Sequence, residues 1–175
     1  MRRSLRFSVL PLMLAITAPA LADTVQLPIR KAGLWDIKME HEGTKLPEMT
    51  IQQCTNEAVD REFTSEFAPA AKHSCSKSDI QKTATGYVSD SVCTVAGTTV
   101  TSHTETSGDF SSDYTVKVTS HSEGGKLGAR DSKMTISAKW SGACKEGQKP
   151  GDVVMPGGFK MNVRDLERMK AMLPK

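Results

Sequence analysis

The sequence predicts a mostly β fold: an antiparallel meander sheet or partly closed barrel, with one short helix after the second strand and an amphipathic helix at the C-terminus. Three observations carry this expectation. Runs rich in Thr, Val and Ser, separated by turn residues, recur at short spacing over residues 34–140. Apolar residues take helical spacing at Val59, Phe63 and Phe67, and again at Val163, Leu166, Met169 and Leu173. Four cysteines, an even number, follow what reads as an export leader.

That leader comes first. Arg2, Arg3 and Arg6 precede an apolar run over residues 7–17, and Ala20-Leu21-Ala22 gives a small-x-small cleavage site, the pattern of a secretory signal peptide. The run is shorter than the roughly 20 apolar residues a spanning helix needs. No cysteine follows the cleavage site to take a lipid. The expected product begins at Asp23, is periplasmic or secreted, and has no membrane span. Residues 23–29 form a lead, 30–144 the β domain, and 145–175 a linker and the C-terminal helix.

The leader holds three of the 23 basic residues and none of the 20 acidic ones, so the remaining chain is balanced in charge. Without a net positive field a nucleic-acid partner is not expected. Leu, Ile, Val and Phe make up only 17% of the residues after the leader, a thin supply for a core. Covalent crosslinks are expected to compensate.

Residues 34–39 alternate, placing Trp35, Ile37 and Met39 on one face of a first strand, and residues 49–54 follow as a second. Thr55 is the expected helix cap, Val59, Phe63 and Phe67 the helix stripe, and Pro69 its stop. Strands then resume at 75–82, 87–95, 98–106, 114–120 and 134–140. The run 98–106 is nearly all Thr, Ser and charge, so it reads as an edge strand with little to bury. Residues 145–151 read as a linker, and Asn162 caps the last helix.

Hairpin geometry favours one of the three pairings of four cysteines. Folding at Ala84-Thr85 sets Cys75 nearly opposite Cys93, within reach of a bridge, which leaves Cys54 with Cys144.

Motifs that would carry chemistry are sparse. His103-Thr104-Glu105 and His121-Ser122-Glu123 each put a histidine and a carboxylate on one strand face, yet the hairpin through Gly108 does not set His103 opposite His121. Neither a zinc spacing, a Gly-x-Ser-x-Gly elbow nor a metalloprotease motif is present. Neither metal nor cofactor is expected, and the chain reads as non-catalytic.

The order Arg30-Lys31-Ala32-Gly33-Leu34-Trp35, Gln53-Cys54, Cys75, Cys93 and a closing Gly142-Ala143-Cys144 resembles a bacterial exported family catalogued as domain of unknown function 3617. The likeness covers residues 30–144. It implies a small, disulfide-bonded periplasmic or secreted protein of Gram-negative bacteria, and it carries over no catalytic residue.

The function expected is binding of a small apolar ligand or lipid, with Trp35, Tyr87, Tyr114, Met134 and Trp140 as pocket residues. The alternative is an interaction module whose C-terminal helix docks on an envelope protein. An enzyme is the third reading.

Overall fold

A computed structural model describes residues 25, 27–44, 47–62, 74–125 and 128–165. The leader, Phe63, Phe67 and Pro69 of the first helical stretch, and Leu166, Met169 and Leu173 of the second lie outside these residues. Among the described residues nine strands follow one another: β1 (Gly33–Glu42), β2 (Met49–Thr55), β3 (Cys75–Lys82), β4 (Gly86–Val95), β5 (Thr98–Asp109), β6 (Asp113–Gly124), β7 (Arg130–Gly142), β8 (Asp152–Val154) and β9 (Lys160–Asn162). They make one open sheet in the order β3-β4-β5-β6-β7-β1-β2-β8-β9, and every neighbouring pair is antiparallel.

The meander is thus real, with two departures: β1 slots between β7 and β2, and β8 pairs with β2 rather than with β7. Residues directly opposite each other share a face. The pairs Ile37↔Ile51, Ile37↔Ala138, Met39↔Ile136, Val116↔Ile136 and Tyr114↔Ala138 therefore collect the apolar side chains on one face. The other face carries Asp90, His103, Glu105, Lys117 and Lys133. Among the described residues the core is small: Trp35 is wholly buried, Ile37 and Ala138 nearly so, with Ile51, Tyr114, Ile136 and Trp140 packed against them.

At the mouth of β1 the chain crosses β7 closely. The register slips between Leu34 and Trp35, and Gly33 has φ +134°. A Cβ there would run into the Gly142 carbonyl and come within 2.6 Å of Trp140 Nε1, so only glycine fits beside the strand end.

Two disulfides close the fold. Cys75 bonds Cys93 across the β3–β4 hairpin, and Cys54, at the buried end of β2, bonds Cys144 just beyond β7.

Three expectations are corrected. First, β5 is no edge: it is paired along its length with β4 and β6, and β3 and β9 are the outer strands. A Thr- and Ser-rich strand can be central because β-branched side chains suit the pleat and the ladders hold it without a deep core. Second, residues 145–151 are no free linker, because they lead into a β8–β9 hairpin that extends the sheet beside β2. The Gly151 N–H donates to the Cys54 carbonyl at 2.8 Å, and Gly151, Asp152 and Val153 are buried. Third, the helix after β2, α1 (57–62 as described), is capped by Asn56 rather than Thr55: Asn56 Oδ1 accepts from the Val59 N–H at 2.9 Å. Thr55 turns inward instead and donates to Asp60 at 3.1 Å.

Asn162 does cap the helical turn at 163–165, accepting from the Arg164 N–H at 3.0 Å. Arg164 also pairs with Glu62 of α1 at 2.8 Å, so this turn starts against the same end of the sheet.

Candidate functional site

The most distinctive side chains gather where the apolar face meets the β3–β4 and β5–β6 turns. Tyr114 opens β6 opposite Gly108, where a Cβ would press to 2.8 Å from the Tyr114 backbone. The turn residue Phe110 lies flat on Tyr114, with ring centroids 4.7 Å apart and planes 8° from parallel. Tyr87 meets Phe110 edge-on at 6.3 Å, and Tyr114 meets Trp35 at 5.5 Å. Four rings thus run in contact from the turns into the core, in offset and edge geometries that aromatic pairs prefer.

The N-terminal lead straps this run. The Lys31 N–H donates to the Phe110 carbonyl at 2.9 Å, and Trp35 Nε1 donates to the Lys31 carbonyl at 2.9 Å. Lys31 Nζ sits 3.5 Å from the centre of the Trp140 ring, whose Nε1 donates to Ala32. Between the strap and the two turns a cleft of about 390 Å³ opens, lined by Pro28, Ile29, Tyr87, Phe110 and residues 82–86, 108–109 and 111. That volume falls at the lower end of the roughly 300–1,000 Å³ range of small-molecule sites.

Behind the aromatics a buried ion pair seals the core end. The Arg30 guanidinium donates to Asp60 at 2.6 and 3.0 Å and to Gln53 at 3.0 Å, while its backbone N–H also reaches Asp60. The two side chains are 10% and 4% exposed. Burial pushes the Tyr114 hydroxyl above its ordinary range, with the neighbouring Arg30 opposing that shift.

Of the residues predicted for a pocket, Trp35, Tyr87 and Tyr114 come together, joined by Phe110. Trp140 packs against the same core but is covered by Lys31. Met134 does not join them: it stands opposite His41 and Val118, six residues along β7 from Trp140, roughly 20 Å at strand rise. It borders a smaller concavity of about 210 Å³ with Glu42, His103, Glu105, Lys117 and Lys133. Sequence reasoning missed Phe110, Pro28 and Ile29. For Phe110 the signal was an aromatic set in a Gly-Asp-Phe-Ser-Ser turn, an expensive place for an unpartnered ring; Pro28 and Ile29 gave none.

The two histidines sit on the polar face at offset positions, His103 opposite Thr119 and His121 opposite Thr101. His103 contacts Asp90 at 2.8 Å and Glu105 at 3.6 Å, and His121 contacts Asp131 at 2.6 Å and Glu123 at 3.1 Å. Among the described residues no set of three such ligands is placed to hold a metal. These carboxylates raise both histidine pKa values above the ordinary 6.5, chiefly through the bonds to Asp90 and Asp131, and the His103 bond lowers that of Asp90. The resulting stabilisation is complete below the unfolded histidine pKa and is lost as pH rises through the raised folded values. It is lost again in acid as Asp90 protonates. Histidine-resolved NMR titration should place both midpoints above 6.5, and Asp90→Asn should bring the His103 midpoint down; an unmoved His103 would show that the contact does not set its charge.

No helix among the described residues is long and apolar enough to cross a membrane. No curated protein and no solved structure matches the chain. A family model described as a protein of unknown function, DUF3617, matches residues 30–144, from the Arg30 of the buried ion pair to the Cys144 that closes the long disulfide. By that match over well over half its length, the chain belongs to the DUF3617 family.

Proposed function

We propose that the protein is an exported, non-catalytic binding protein that takes a small apolar ligand or lipid in the cleft between its N-terminal strap and the β3–β4 and β5–β6 turns. The observation that carries this reading is the aromatic run: Tyr87 and Phe110 line the cleft and hand on, through Tyr114, to buried Trp35. Apolar walls with a few polar groups at the rim are what small-ligand sites require. The leader pattern and the two disulfides fit a protein that works in an oxidising compartment such as the periplasm.

Docking of the C-terminal helix on an envelope partner is less well supported, because its first turn is already engaged with α1 through Arg164 and Glu62.

The test is titration with the neutral dye N-phenylnaphthylamine, whose fluorescence rises in apolar surroundings. The expected result is saturable binding, weakened about tenfold by Tyr87→Ala or Phe110→Ala, since losing an aromatic contact and its buried area is worth about 1.4 kcal/mol. Absent saturation, or affinity unchanged in both variants, would overturn the proposal.

A further inference from the structure

The charges around the cleft are unequally committed. Asp109 is occupied: its carboxylate accepts from the Ser111 N–H at 2.8 Å and from the Ser112 hydroxyl at 3.3 Å, and these bonds hold its pKa below the usual carboxylate range. Arg30, behind the rings, is neutralised by Asp60. Lys31 lies on Trp140. Lys82 differs from all of these. It ends β3 directly opposite Tyr87, so its stem shares the face of that ring, it is exposed, and it lines the cleft. Among the described residues it has no ion-pair partner.

From this arrangement we infer that the ligand class of the cleft is an anionic amphiphile, with its acyl or aromatic body against Tyr87, Phe110 and Ile29 and its carboxylate or phosphate head on the Lys82 ammonium. The inference rests on the binding reading above and adds the head group to it. A neutral apolar ligand would leave the ammonium nothing to gain. A cationic one would meet Lys82 at the rim and an Asp109 already held by its own turn.

The experiment compares decanoate with decanol, two ligands of equal chain length that differ in head-group charge, as competitors of N-phenylnaphthylamine near neutral pH. Decanoate is expected to compete about two- to fivefold better on the wild type, the range of an exposed ion pair. The advantage should shrink as salt is raised. Lys82→Met should abolish the preference, bringing decanoate down to the level of decanol on the same variant, and Lys82→Arg should keep it. Because Lys82 is exposed, neither change threatens the fold. Equal competition by the two ligands, or a preference that survives in Lys82→Met, overturns the head-group assignment while the cleft reading stands. If neither ligand displaces the dye, or the dye fails to bind, both fall together.

Discussion

Replacing Cys54 and Cys144 together by alanine should cost about 4.6 kcal/mol of stability, the loop-closure entropy returned to the unfolded chain by a bridge of sequence separation 90. The matching double replacement of Cys75 and Cys93, which spans 18 residues, should cost about 3.2 kcal/mol. A domain of this kind has only about 5–15 kcal/mol in all, so the first change removes a third or more of it. Among the described residues the core offers little to offset the loss, its largest fully buried side chains being Trp35, Val59, Thr55 and Cys54 itself. Urea unfolding of the two variants under identical conditions checks the order. A smaller loss for the long bridge would show that β1 and the β8–β9 hairpin already hold the two ends of the fold together without it.

Asp60→Ala is the second large effect, expected at about 3–5 kcal/mol, because it leaves the Arg30 guanidinium buried without its counter-charge. Asp60 also accepts from Thr55 and from the Arg30 backbone, so together with the guanidinium Nε and Nη2 four donor atoms lose this acceptor at once. Replacing both Arg30 and Asp60 by leucine should cost markedly less than Asp60→Ala alone, since an apolar pair removes the desolvation cost together with the attraction. Thermal unfolding followed by tryptophan fluorescence, from Trp35 and Trp140, reads both variants. If Asp60→Ala proved as mild as a surface change, Gln53 and Tyr114 would have to be enough to solvate the Arg30 guanidinium.

The strands from β1 to β7 were legible because each has a run of alternating or β-branched residues between turn residues, and a period of two leaves one face to bury. The disulfides were legible from the hairpin that brings Cys75 to Cys93. The place of β5 was not: a run of Thr, Ser and charge gives no sign of an inner position, yet one face of β5 is half-buried, with Thr106 buried, while the other stays exposed. The hairpin β8–β9 was hidden by brevity: two three-residue strands around Met155-Pro156-Gly157-Gly158 give no period to read. The site was half visible. Aromatic residues on strands announced themselves, but Asp60 looked like any solvated helix carboxylate, and Phe110 looked like a turn residue. What recruits both is a long-range contact, with Arg30 for one and Tyr114 for the other.

The position of β1 between β7 and β2 also fixes a sequence of events in time. The β3–β4 hairpin and its disulfide join residues close in the chain, and can form while the rest is unstructured. The bridge from Cys54 to Cys144 cannot: it must wait until β1, made first, finds β7, made much later, across some hundred intervening residues. Until then Cys54 meets Cys75 and Cys93 far more often than its partner. Oxidative refolding is therefore expected to be biphasic, a rapid closure at the hairpin and a slow closure of Cys54 with Cys144, slowest in chains where Cys54 has first paired with Cys75 or Cys93 and must be reshuffled. A thiol–disulfide isomerase should accelerate that slow phase and leave the rapid one alone.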